Sequence, residues 1–211
     1  MADLSDFHPY ILPEVPQCPL AVVDFAISNT LNDFCTATRL WSAELDPMDS
    51  VANQMDYTVT PPTDSELVRL ERVSYDGHQL KCLTLDQLDL IYRSSWLDLT
   101  GTPIYYVLTG TETLSLVPAP AAALTDGITI RVSLTPAPDA TTFPDLFFRR
   151  YSAEIAAGAK AALMSMVDKP WSNQEAATRY GALYAAGRDD GMTFKAKGHL
   201  GARTRTAASY F

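Results

Sequence analysis

Residues 66–83 read ELVRLERVSYDGHQLKCL. Leu67, Leu70 and Val73 alternate with polar side chains, and the run then turns at Asp76-Gly77. Asp-Gly suits a two-residue hairpin, because a type I′ turn needs positive φ at both central positions. Helical periodicity on either side thus gives way to strand grammar here, which makes the chain α+β.

The same grammar runs outward from that hairpin. PIYYVLTGTETLSLVP (103–118) repeats it with Thr109-Gly110-Thr111 as the turn, GITIRVSLTP (127–136) adds an alternating strand, and MDYTVTPP (55–62) supplies another rich in β formers. Between the hairpins, TLDQLDLIYRSSW opens at Thr84, a good N-cap, and puts Leu85, Leu88 and Ile91 on one face. The expected middle is a sandwich-like antiparallel module with one short helix.

Helices flank it. From Leu20 to about Leu40, Val23, Ile27, Leu31 and Phe34 recur at helical spacing, with Phe25 and Cys35 widening the stripe and Asp24, Ser28, Asn32 and Arg39 opposite. After Pro144, Asp145 can cap a run lined by Ile155, Ala159, Ala162, Leu163 and Met166, which Lys169-Pro170 should end. Ser172 and Glu175 read as the capping box of a last helix to about Ala186. Eleven alanines between Ala153 and Ala186 suit closely packed helices, or helix propensity alone. Prolines 9, 13, 16 and 19 make the front an extended arm, and Gly187 and Gly191 should release the chain into a second arm. The expected architecture is a helical bundle (20–41 and 142–187) with an inserted β domain (42–141) and extended arms at 1–19 and 188–211.

Composition sets the function classes. The chain has 211 residues with 47% hydrophobic and 19% charged, which is globular, and no apolar run approaches a membrane span. The acidic, proline-rich start does not read as a secretory signal. Three separated cysteines (18, 35, 82) argue against disulfide or zinc frameworks. Of 16 Lys and Arg and 25 Asp and Glu, residues 188–211 hold five and two, leaving +3 there and −12 on residues 1–187. Such a body repels nucleic acid. His8, His78 and His199 have no ligand-type neighbour at metal spacing, Asp86 and Asp89 read as a solvated helix face, and no phosphate loop or nucleophile elbow occurs. We expect no catalytic residue, cofactor or metal. The basic segment has three readings: a nucleic-acid contact, a frayed end, or an arm that binds a partner chain through Lys195, Lys197, Arg203, Arg205, Tyr210 and Phe211.

Particular stretches carry a resemblance. ILPEVPQCP (11–19) leads into a helix with Asp33-Phe34-Cys35 and Trp41, LVPAPA (116–121) ends a strand, and YSAEIAAGAKAALMSMVDKPWSNQEAATRY (151–180) contains Gly158-Ala159-Lys160 and Lys169-Pro170-Trp171. Over about residues 10–186 this resembles the head–tail adaptor (connector, head-completion) proteins of tailed bacteriophages, related to the podophage tail tubular protein A. The resemblance implies a virion protein without enzymatic activity, assembled in the host cytoplasm into a ring, usually of twelve copies. That ring would dock on the portal protein, present a platform to a downstream tail or nozzle protein, and pass double-stranded DNA without sequence-specific binding. An alternative is a β-sandwich accessory protein that binds carbohydrate, with Trp96, Tyr105 and Tyr106 as candidate platform aromatics.

Overall fold

The computed structural model describes residues 1–93 and 95–198. It is an α+β structure of five α-helices and many, mostly antiparallel, strands. The described chain divides into two compact units, one of Met1–Trp41 with the chain from Thr135 onward, the other of Ser42–Leu134.

In the first unit the front of the chain is not an extended arm. A 3-10 turn (Leu4–Phe7) runs into helix α1 (His8–Ile11), and Phe7, Ile11, Val15 and Cys18 are buried. Their spacings of four, four and three are a helical signal that the prolines obscured. Pro9 sits in the first turn of α1, where its missing N–H costs nothing. Helix α2 (Leu20–Thr38) buries Val23, Ile27, Leu31, Phe34 and Cys35, whereas Phe25 is 64% exposed and does not widen the core stripe.

Helix α4 (Asp145–Met164) begins one residue after Pro144 and is interrupted at Tyr151, whose φ of −126° and ψ of 20° are non-helical. It stops well before Lys169-Pro170. The Met164 carbonyl instead accepts the Asn173 N–H at 2.9 Å, closing a turn through Asp168 with φ 57°. Helix α5 (Gln174–Lys197) is capped by Asn173, whose side chain accepts from the Ala176 N–H, and not by Ser172. The Ser172 N–H is occupied by the Lys169 carbonyl at 3.0 Å, which shifts the helix start by one residue.

Gly187 and Gly191 do not release the chain, since α5 continues to Lys197. Both are buried where neighbours come close. A Cβ at Gly191 would lie 2.8 Å from Thr38 Cγ2, and one at Gly187 would overlap Glu154. Gly158 in α4 is tighter than Gly191, with Thr30 Cγ2 at 2.5 Å and Tyr184 Cδ2 at 2.7 Å from an added Cβ. Glycines thus set the helix separations. Tyr184 lies by Thr30 and Gly191 by Thr38, so α5 runs parallel to α2, while α4 runs antiparallel to both.

In the second unit, strands 42–44, 124–136, 65–75 and 78–79 form one sheet in that order, with 48–50 also on strand 124–136. Asp76 and Gly77 take φ of 48° and 75°, and Tyr75 pairs with His78, the expected two-residue hairpin. Leu70 and Val73 are both buried although an odd spacing sends them to opposite faces, so both sides of strand 65–75 are partly covered. A second sheet orders 56–58, 113–117, 105–108 and 81–82, the last pair being parallel. Helix α3 (Leu85–Tyr92) has the Thr84 cap, with Gln87 completing the box, yet only Leu88 is buried, while Leu85 and Ile91 stay exposed.

The glycine notches predict substitutions of opposite sign within one pair of helices. Gly158→Ala should destabilise by about 1–2 kcal/mol, because overpacking outweighs the gain in helix propensity. Gly181→Ala, whose nearest neighbour is Ala161 Cβ at 4.0 Å, should stabilise by about 0.5–1 kcal/mol. Urea unfolding midpoints of the two variants against the parent check both signs.

Candidate interaction surface

The residues of the family-like motifs meet one another in the helical unit. Glu14, from the proline-rich stretch, accepts a hydrogen bond from Lys160 Nζ at 2.8 Å on one oxygen and from the Tyr180 hydroxyl on the other. Lys160 is buried, and its ammonium also lies 4.1 Å from the Tyr180 ring centre. Arg179 donates to the same hydroxyl at 3.1 Å. The Lys160 and Tyr180 hydrogen bonds hold the Glu14 carboxyl below the usual carboxylate range against the opposing effect of burial.

Asp33 repeats the arrangement one level along. It accepts from the Tyr184 hydroxyl at 2.6 Å and from Arg188 Nη1 at 3.2 Å, while Phe34 and Cys35 beside it are fully buried. Burial first, and then Asp33, push the Tyr184 hydroxyl far above its ordinary pKa. Burial likewise raises the Cys35 thiol. Trp171 is half-buried against the same core. These motif positions therefore tie elements together.

Of the six residues expected to bind a partner, Lys195 and Lys197 lie in the last turn of α5, where cations complement the exposed carbonyl end. Arg203, Arg205, Tyr210 and Phe211 lie outside the described residues, as does His199. The turn is held by the Arg150 guanidinium, 3.8 Å from the Phe194 ring centre. The segment expected to leave the body from 188 remains helical to Lys197. Sequence reading missed Arg150 and Phe194, and only the i, i+3 and i+7 spacing of Phe194 from Gly191 and Gly187 hinted at a packed face.

His8 pairs with Asp24 at 2.6 Å, and His78 is exposed beside its turn. Among the described residues no group of three His, Cys, Asp or Glu could hold a metal, and no helix is long and apolar enough to cross a membrane. Trp96 is buried and donates to Asp89 at 2.8 Å, Tyr106 is buried, and Tyr105 packs edge-on with Tyr92. The three aromatics that a carbohydrate platform would need are thus occupied in packing.

One cleft stands apart in the helical unit. Phe25, Ser28, Asn29 and Asn32 form a stripe along α2, facing the 138–141 loop, with Leu4 at one end and Asp24 and Asp139 on the rim. Its volume is about 310 Å³.

Residues 10–207 match the family described as SU10 adaptor protein, and the chain belongs to that family of phage head–tail adaptors. No curated protein matches the chain.

The charged contact at Glu14 predicts a pH signature. Because the folded-state pKa is depressed, its contribution is complete above the unfolded carboxyl pKa near 4.5 and is lost as pH falls through the folded value. Glu14→Gln should cost about 1–2 kcal/mol at pH 7, since it leaves the buried Lys160 charge poorly answered while solvent screens the exposed side of Glu14. The Tm difference from the parent should shrink below about pH 4.5, as thermal melts across pH 3–8 would register.

Proposed function

We propose that the chain is a structural component of a phage virion at the head–tail junction, forming a ring that docks on the portal. In this role it connects the portal to the tail and surrounds the DNA exit path. Membership of an adaptor family over residues 10–207 is the observation that carries this reading. It implies a structural role and association with other head or tail components.

The charge distribution supports the DNA-facing part. On residues 1–187, 23 carboxylates outweigh 11 Lys and Arg, so the body repels phosphate on balance and duplex DNA would pass without adhering. The basic residues 188–211, with Lys195, Lys197, Arg203, Arg205, Tyr210 and Phe211, are proposed as a contact to partner chains. Twelve copies would match the portal symmetry implied by the resemblance, with a tail or nozzle protein on the far side.

Sedimentation and electron microscopy of the full chain, alone and with purified portal, test this. The expected result is a closed ring seated on the portal with a central channel. A chain that stays monomeric at all concentrations and leaves the portal bare would overturn the proposal.

A further inference from the structure

The cleft on α2 has chemistry that its own unit uses only in part, since Asp24 pairs with His8 and the Asn32 amide oxygen accepts from Thr36. Phe25 is 64% exposed on a helix whose other large apolar side chains turn inward, apart from Leu20 at its start. Asn29 is exposed and Asn32 half-buried, so both present amides able to bond a peptide backbone. Asp139 makes no hydrogen bond or ion pair among the described residues, and Asp24 is matched only by His8. The turn that supplies Leu4 adds Asp3 and Asp6, both exposed. The cleft is therefore acidic, lined with amides, and floored by an aromatic ring. At about 310 Å³ it is at the small end of ligand clefts and suits a short peptide anchor.

The complementary chemistry stands in this chain at residues 199–211, HLGARTRTAASYF. It has two arginines, no carboxylate side chain, and an aromatic pair. Arginines two apart in an extended segment point to one side, about 7 Å from each other, and can meet two carboxylates together.

Geometry decides which copy supplies it. Gly191 packs on Thr38, so α5 ends near the C-terminal end of α2, whereas Asp24 and Phe25 lie near its start. At a rise of 1.5 Å per residue, Gly198 is roughly 30 Å along the helix direction from Asp24. Extended chain spans at most about 3.6 Å per residue, so Arg203 reaches only about 18 Å beyond Gly198 and Arg205 about 25 Å. A copy serving its own cleft would run fully stretched, with no length left to bend around the bundle.

We propose that this cleft receives residues 199–211 of a second copy of the chain, with Arg203 and Arg205 on Asp24 and Asp139 and the Tyr210–Phe211 pair against Phe25. The inference rests on the ring reading, since it requires a neighbour. It also gives the basic segment a destination within the ring.

The test places the photo-crosslinker p-benzoylphenylalanine at position 210 of the full chain and irradiates it alone and on purified portal. The expected product is a chain-to-chain dimer whose crosslinked peptide contains residues 24–32 or 138–141. Its yield should fall roughly tenfold when both carboxylates are removed (Asp24→Asn with Asp139→Asn), as two exposed charge pairs would give. Asp139→Asn and Phe25→Ser, each alone, serve as second variants where loss of the His8 pair unfolds the double substitution. Crosslinks within one chain, to portal alone, or to other parts of the neighbour would overturn the proposal. If sedimentation still shows a ring in that case, the ring reading survives. If no ring forms with or without portal, both fall.

Discussion

A lysine ammonium withdrawn from water costs several kcal/mol unless its charge is answered, and Lys160 is buried about one turn before the end of α4. The answer comes from Glu14, which is 146 positions away in the chain and belongs to an otherwise proline-dominated segment. That single requirement organises the helical unit. Holding Glu14 over α4 and α5 lays the segment around it against the bundle, so that Phe7, Ile11 and Val15 complete the core. Tyr180 serves twice, donating its hydroxyl to Glu14 and lending its ring face to Lys160. The pair cannot form without α4 and α5 being adjacent, which the glycines permit.

Those glycines explain why the family-like motifs hold packing residues and not reactive ones. Gly158 lets Thr30 and Tyr184 approach α4, Lys160 follows two residues later, and Asp33-Phe34-Cys35 meets the Tyr184 level from α2. Glu14 with Lys160 joins two of the motifs directly, whereas Asp33 meets Tyr184 and Arg188, which lie just beyond them. The family match over residues 10–207 spans these contacts, from Glu14 to Arg188. A stable platform of that kind is what an adaptor supplies.

Much of the fold was legible because its signals are local. The stripe of α2, the Thr84 cap and the Asp76-Gly77 turn each depend on residues within a few positions, and all three stand in the structure. The errors have two sources, a role set by a distant neighbour or a local signal with two readings. Glycine was read as a helix stop, but at 187 and 191 it is a notch for Glu154 and Thr38. Proline was read as extended chain, though at position 9 it opens a helical turn. Phe25 was placed in the core by periodicity and is exposed, while Leu85 and Ile91 of α3 are exposed for the same reason. The candidate partner-binding residues were found from charge contrast alone, and two of them, Lys195 and Lys197, belong to a helix.

The separation between the end of α5 and the cleft at the start of α2 has a consequence for assembly. A basic segment and an acidic cleft are different surfaces, so a contact between them is heterologous and leaves one unfilled cleft and one unused segment on any pair. A head-to-tail repeat, in which no two copies exchange segments reciprocally, passes the unfilled cleft and the unused segment on from copy to copy. Repetition satisfies every copy only by closing a ring or extending a filament. Net charge opposes unlimited growth, because each added body brings its own −12 on residues 1–187 against +3 on the segment that joins it. On the ring reading, closure fills every cleft with a finite number of copies, and this ties the proposed contact to the proposed assembly.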